Sequence, residues 1–517
     1  MDQSFNEHDK EVMTRLAASR QELKKNPYRP LYHFAAAEGA MNDPNGLCFW
    51  KGKWHLFFQG GSPEATQPSW GHAVSTDLIH WQDLPYAIEP GPELASYSGA
   101  TWVEEDRVIA MYHGVNLGNM IAVSGETDLI HWEKLTNNAV IAQPCPFFTT
   151  TNGTETICGQ KAPAGAINMV YDPCIWKKDD CYYSLSGGAM KDGSATTRVR
   201  TAFLYRSKDL IHWEYLHSFI EGDIYGRPGD DCGCPYFVPI GDQYMLLHFS
   251  HRGTSHYLIG DYDKKRDKFI VRTGGDFGFG PTFPGGLLAP SAFPDGNGGV
   301  MAIFNVASGL YTPENAAQQI MSLPRRITLE DGELKMEVTE AVKTLRGNHK
   351  GFQSLPLPAN EMIVLDGYEG NTIEMEMEIN AGNSQLLELE VLRSPDCREV
   401  TRICFYRERG YRDLDREAEG HCTESILTIE TSRSSIVPEI QPRMPENAPV
   451  HLEKQENLKL HIFIDKSLLE VFVNDRQCAV VRVYPGLAES RGIAIGAGSG
   501  DAEVIRFDMW EMGSIYA

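Results

Sequence analysis

One heptad occurs three times in this chain: Ser75-Thr76-Asp77-Leu78-Ile79-His80-Trp81, Glu126-Thr127-Asp128-Leu129-Ile130-His131-Trp132 and Ser207-Lys208-Asp209-Leu210-Ile211-His212-Trp213. The copies begin 51 and 81 residues apart, each between two strand-like segments. A strand-built unit repeated every ~40–50 residues buries its faces only against neighbouring copies, as the blades of a propeller do. The longer interval leaves room for an insertion, for which the Gly/Thr/Pro-rich stretch 143–165 is the candidate. Asp-Leu-Ile-His-Trp reads as a turn followed by an aromatic plug, so His80, His131 and His212 are assigned no chemistry.

The chain on either side of the repeats has a different character. Between Asp9 and Lys25, helix formers carry apolar Val12, Met13, Leu16, Ala17 and Leu23, predicting one amphipathic helix. Beyond about residue 345, period-two alternation dominates. It marks strands at Ile373–Ile379, Leu387–Val391, Leu458–Ile464 and Leu469–Val473, the last two joined as a hairpin through Asp465-Lys466-Ser467. Such a block predicts a β-sandwich whose Glu and Lys residues face solvent, with Ser432–Ala448 as a loop within it. The expected organisation is an all-β chain: an N-terminal helical extension (1–28), a β-propeller (29–345) and a C-terminal β-sandwich (352–517). The sandwich is expected to brace the propeller, to shape the rim of its pocket or to join copies in a homo-oligomer.

Bulk properties narrow the function. A formal charge of −23 repels nucleic acid and anionic lipid and favours a neutral substrate. No apolar run reaches the length of a membrane span. The first ten residues lack the basic and apolar regions of a secretory signal, so a cytoplasmic location is expected unless a leader has been removed. Eleven scattered cysteines argue for reduced thiols. The close pair Cys232-Gly233-Cys234 has no further ligands at metal-binding spacing, so neither metal nor cofactor is expected.

Three carboxylate-bearing segments open strand-like runs. Asn42-Asp43-Pro44-Asn45-Gly46 is turn chemistry, followed by a hairpin around Lys51-Gly52-Lys53. It places Asp43 on pinned backbone at a strand start, which suits nucleophilic or ionic work on a sugar. Asp172-Pro173 repeats the Asp-Pro form, and Asp230-Asp231-Cys232-Gly233-Cys234-Pro235 again sets carboxylates before a strand.

These segments resemble glycoside hydrolase family 32, the β-fructofuranosidases (invertase, inulinase, levanase and related fructosyltransferases). The resemblance is carried by Asn42–Gly46, Gln59, Trp70-Gly71-His72-Ala73 running into Ser75–Leu78, Ser98-Gly99, Asp172-Pro173, and Phe463–Ser467 with Glu470-Val471-Phe472. It covers roughly residues 29–515. It implies a five-bladed propeller joined to a sandwich, cleaving fructosides with retention and without a cofactor. It implies Asp43 as nucleophile, Asp172 as transition-state stabiliser, and Asn42, Gln59, Trp70 and Ser98 lining the sugar pocket.

Two positions depart from the family's pattern. Tyr171 stands where the family has Arg, offering one hydroxyl and a ring in place of a charged fork. Gly233 stands where the family has the acid Glu of Glu-Cys-Pro. On an extended strand Asp231 shares the face of Gly233, so Asp231 is expected to replace the missing acid, with Asp230 as the next choice; Tyr171 and Asp230 are further candidates for sugar contact. The leading expectation is a retaining β-fructofuranosidase acting on sucrose, fructo-oligosaccharides or fructans. A fructosyltransferase, a catalytically silent fructan-binding protein and a glycosidase for another furanoside are the alternatives.

Overall fold

The computed structural model describes all residues except 1–4, 62, 64–66, 144–146, 150–154, 158–166, 192–197, 227–229, 252, 283–284, 309–312, 314–315, 318, 411–423, 454 and 517. The chain forms two compact units. One holds residues 1–21, 36–276 and 288–305, the other 22–35, 277–287 and 306–517.

Among the described residues, five sheets of four or five strands, mostly antiparallel, follow one another along the first two thirds of the chain, with a two-stranded sheet (Phe147–Thr149 and Glu155–Ile157) between the second and third. The first takes strands Met41–Trp50, Lys53–Gly60, Ser69–Ser75 and Trp81–Ile88 in sequence order. The later sheets open with Ser96–Val103, Ile167–Lys178, Gly233–Ile240 and Leu287–Pro294. The opening strands of the first four sheets lie side by side in succession. This is a five-bladed β-propeller. The predicted hairpin closes through Lys51 and Gly52, both at positive φ (45° and 85°), a two-residue turn whose twist matches that of its strands.

Each copy of the heptad joins the third strand of its sheet to the outermost one, in blades one, two and three. The middle Leu takes positive φ in every copy: 69° at Leu78, 48° at Leu129 and 69° at Leu210. Asp77 and Asp209 each accept backbone N–H bonds from the two residues after that Leu, as a capping carboxylate should. In the second copy Glu126 takes over this task at His131, and Asp128 pairs instead with Lys53. The repeat is thus a corner between strands, and its His residues serve the turn. The interval before the third copy includes the residues between the second and third blades, and much of 143–165 lies outside the described residues.

The helix spans Glu7–Leu23. Asn6 and Asp9 form a reciprocal cap, each side-chain oxygen accepting the other's backbone N–H at 2.9 Å. Val12 and Leu16 pack on Ala37, and Arg20 grips Asp83 through two bonds of 2.8 and 2.7 Å. No helix among the described residues is long and apolar enough to cross a membrane.

In the second unit, two six-stranded sheets face each other over a core that includes Met375, Ile462, Val471, Phe507, Leu389, Ile403 and Leu427. The four predicted strands are all present, as is the hairpin through Lys466 and Ser467. The Glu face departs from expectation. Glu374 and Glu470 are fully buried. Arg346 (2.8 and 2.7 Å) and His461 (2.6 Å) hold the first; Arg325 (3.0 Å) and the Leu323 N–H (2.8 Å) hold the second. Asp465 accepts the backbone N–H groups of Leu31, Tyr32 and His33 at 2.7–2.9 Å. Alternation identifies which face a residue lies on, but buried arginines can cover a face that reads as solvated.

At the propeller axis one hydroxyl ties four blades together. Tyr236 Oη accepts the Gly46 N–H (2.9 Å) and the Ser291 hydroxyl (2.8 Å), and donates to the Gly99 carbonyl (3.0 Å). Ser291 Oγ in turn accepts the Leu47 N–H at 2.9 Å. We expect Tyr236→Phe to lose about 2–4 kcal/mol of unfolding free energy in urea titrations, because it strands buried partners on several blades; a loss below about 0.5 kcal/mol would show that the hub is dispensable.

Candidate active site

Asp43 and Asp172 both sit on β-bulges. The first strand slips register between Met41 and Pro44, and the third blade's opening strand slips between Tyr171 and Pro173. Asp172 is itself at φ 45°, a conformation that a residue with a Cβ rarely adopts. Bulges re-aim side chains, and these two turn their carboxylates toward a common point. Gly46 (φ 51°) completes the first turn. A Cβ there would stand 2.6 Å from Thr101 and 3.2 Å from the Trp70 ring, so only glycine fits.

The common point is a thiol. Cys234 Sγ lies 3.6 Å from Asp43 Oδ2 and 3.6 Å from Asp172 Oδ2. Burial and the two carboxylates push its pKa well up, so it stays a neutral donor between them. Asp43 Oδ2 also accepts the Ser98 hydroxyl (2.7 Å) and the Gln59 amide (3.2 Å), and Gln59 Oε1 accepts the Asn42 amide at 3.3 Å. Among the described residues, Asp43 Oδ1 has one long contact, to the Asn305 amide at 3.4 Å. One carboxylate oxygen is therefore saturated and the other is left available.

Burial raises the pKa of Asp43, against the hydrogen bonds from Ser98 and Cys234 and the attraction of His251. Burial, with the like charge of Asp43 second, pushes Asp172 up to about 7. Close carboxylates of this kind share protons near neutrality.

Asp231 is placed differently from expectation. Cys232 (φ 52°) and Cys234 (φ 46°) break the extended chain, so residues two apart no longer share a face. Asp231 is fully buried. It accepts the Tyr171 hydroxyl at 2.7 Å, and the Nδ1 and backbone N–H of His251 at 2.6 and 3.1 Å. These bonds outweigh its burial and hold its pKa well below the usual carboxylate range. Enclosed and bonded in this way, Asp231 is turned to Tyr171 and His251 and away from the carboxylate pair.

Asp230 turns another way. It accepts the Cys232 N–H at 3.0 Å and faces the buried His248 and His256 at 3.8 and 4.0 Å. Trp70, expected on the pocket wall, is fully buried in the first blade. It packs against Phe57 and Tyr112, with Nε1 donating to the Tyr97 carbonyl at 2.8 Å. Its strand is buried along its whole length, so neither ring face is free for a sugar. Tyr171 presents its hydroxyl to Asp231, not to the carboxylate pair.

Three residues at the site went unread in the sequence. Asn305 carries no local signal. Cys234 sits in a segment singled out for its acids. His251 is legible only through strand pairing: Gly233 pairs with Phe249, so continuing that register sets His251 opposite Asp231.

A five-bladed propeller with two carboxylates converging on one thiol, one of them on a bulge with an oxygen to spare, is an arrangement suited to a glycosidase. The chain belongs to glycosyl hydrolases family 32. The family's N-terminal domain matches residues 33–338 and its C-terminal domain residues 339–511. Among its relatives, the raffinose invertase of Escherichia coli is 26% identical over 94% of this chain and 95% of its own length. The sucrose-6-phosphate hydrolase of Zymomonas mobilis is 25% identical over 88% and 86%. Fructan 1-exohydrolase IIa of Cichorium intybus, solved with 1-kestose, shares the fold with a TM-score of 0.77 at 20% identity, covering 95% of this chain and 98% of that one.

The raised pKa of Asp172 makes the site a source of instability. The folded protein holds a proton that the unfolded chain, with an ordinary Asp pKa of about 3.9, has released. Stability therefore falls as pH rises from about 4 through about 7. Thermal melts should show Asp172→Asn raising Tm by several degrees at pH 8 and much less at pH 5; equal gains at both pH values would contradict this.

Proposed function

We propose that this protein cleaves β-fructofuranosidic bonds of neutral saccharides with retention, through a fructosyl-enzyme on Asp43. The observation that carries this reading is the asymmetry of the Asp43 carboxylate. Oδ2 is held by Ser98, Gln59 and Cys234, while among the described residues Oδ1 meets only Asn305, at 3.4 Å. Oδ1 is then the atom that attacks the anomeric carbon of fructose, and the three bonds to Oδ2 fix its line of approach.

Asp172, once ionised, places a negative charge beside the oxocarbenium-like transition state and accepts hydrogen bonds from fructose hydroxyls. The Cys234 thiol separates the two carboxylates without neutralising either. Asn42, Gln59 and Asn305 supply amides suited to the remaining hydroxyls. The raffinose invertase, sucrose-6-phosphate hydrolase and levanase names of its relatives support a fructose-containing substrate for this chain.

The test is release of fructose from sucrose, 1-kestose, inulin and levan. Asp43→Ala should lower kcat by at least about 10⁴-fold while retaining substrate binding. Binding without any turnover by the wild type would instead identify a saccharide-binding protein. Transfer of fructose to added sucrose in preference to water would identify a fructosyltransferase.

A further inference from the structure

A retaining mechanism needs a proton donor, and the position that supplies it elsewhere in the family is Gly233 here. A Cβ built on Gly233 would stand 3.4 Å from His251 Cε1 and 3.5 Å from Asp172 Oδ2. The space that a side chain at 233 would enter is thus bordered by the Phe249 carbonyl at 3.3 Å, by the imidazole and by the stabilising carboxylate. We propose that His251, oriented by the buried carboxylate of Asp231, is the acid/base catalyst of this chain. This inference rests on the fructosidase reading and names the proton carrier that reading lacks.

The geometry is that of an Asp–His pair. Asp231 Oδ2 takes the Nδ1 proton at 2.6 Å and its Oδ1 takes the backbone N–H of the same histidine at 3.1 Å, so ring and main chain are fixed together. The Tyr171 hydroxyl donates to Oδ2 at 2.7 Å, and the rings of Tyr171 and Phe249 meet the imidazole edge-to-face at 6.2 and 5.1 Å. With Nδ1 engaged, Nε2 meets no partner among the described residues, and 55% of the side chain is open to solvent. Asp231 is wholly enclosed: it positions the histidine and touches no substrate.

Among the described residues, the charged groups that act most on the ring favour the imidazolium. The hydrogen bond to Asp231 raises its pKa most. Burial opposes it, and the negative fields of Asp231, Asp172 and Asp43 add to the rise. These effects favour the imidazolium, the form an acid needs at the start of the cycle.

In the first step Asp43 Oδ1 forms its bond to the anomeric carbon. The glycosidic C–O bond breaks, and its oxygen leaves with the proton from His251 Nε2. In the second, neutral Nε2 takes a proton from water as that water bonds to the anomeric carbon. The bond from that carbon to Asp43 Oδ1 breaks as the bond to water forms, releasing fructose and regenerating the Asp43 carboxylate and the imidazolium.

Leaving-group chemistry separates this role from a structural one. Fructosyl fluoride needs little protonic help to leave, whereas sucrose needs a full proton. His251→Ala should lower kcat/KM for sucrose by about 100-fold or more, and for fructosyl fluoride by less than about 10-fold. Azide, a nucleophile that needs no base, should accelerate its turnover and yield fructosyl azide. Asp231→Asn should move the alkaline limb of the kcat/KM profile to lower pH by about one unit, because the imidazolium loses its carboxylate. His251→Gln, which preserves size and a hydrogen-bond donor, should behave like His251→Ala if thermal melts show either variant weakened. Equal losses on sucrose and fluoride with no azide effect, or an unmoved alkaline limb in Asp231→Asn, would overturn the assignment. A wild type inert toward both substrates would overturn the fructosidase reading itself.

Discussion

The active site depends on a hydroxyl that touches no substrate. Tyr236 Oη gathers Gly46, Gly99 and Ser291 at the propeller axis, and Ser291 extends the network to Leu47. Gly46 and Leu47 are the residues that close the Asp43 turn. A nucleophile displaced by 1 Å loses much of the advantage of proximity, and a bulge at a blade's edge would otherwise be free to flex. The hub removes that freedom by spending the N–H groups of the turn on two buried side chains, Tyr236 and Ser291, from two other blades. The same opening strand of the fourth blade carries Cys234 two residues earlier, so one element both anchors the nucleophile's backbone and spaces its carboxylate from Asp172.

Electrostatics at the site follow from this close packing. Two carboxylates around one thiol repel each other, and burial strengthens the repulsion. The protein tolerates the pair because neutral donors hold Asp43 and because Asp172 can retain a proton near pH 7 when the site is empty. A sugar cation forming between them draws the proton off Asp172 and meets the negative charge so released, the differential stabilisation that catalysis requires. Instability of the free site and affinity for the transition state have a single origin.

Much of this was legible in the sequence. The heptad revealed the blades because a corner at positive φ needs its capping acid and its plug at fixed offsets, as Asp77 and Trp81 show. Asp43 and Asp172 stood out because Asp-Pro at a strand start is turn chemistry with a charge attached. Asp231 failed because period-two reasoning assumes an extended chain, and Cys232 and Cys234 at positive φ break it. Trp70 failed because indole suits both sugar stacking and a core, and only the burial of its whole strand separates the two. His251 lies in no motif; it joins the site through cross-strand register, which local reading does not supply.

The two departures from the family's pattern, Tyr171 for Arg and Gly233 for Glu, are parts of one arrangement. An arginine at 171 would compete with His251 for the Asp231 carboxylate and, as the stronger cation, would pair with it bidentately. A tyrosine donates a single bond to Oδ2 and leaves room for the imidazole on the same oxygen. A glutamate at 233 would project into the space beside His251 Cε1 and add a third negative charge within reach of Asp172. Removing it clears the ring's position and moderates the repulsion. Gly187 fits the same logic, since a Cβ there would collide with the Asp231 and Cys232 carbonyls at 2.9 and 2.6 Å and with the Tyr171 ring at 3.0 Å. Tyr171, Gly187, Asp231, Gly233 and His251 therefore act as one unit: the glycines make room for the tyrosine and the imidazole, and the buried carboxylate holds both.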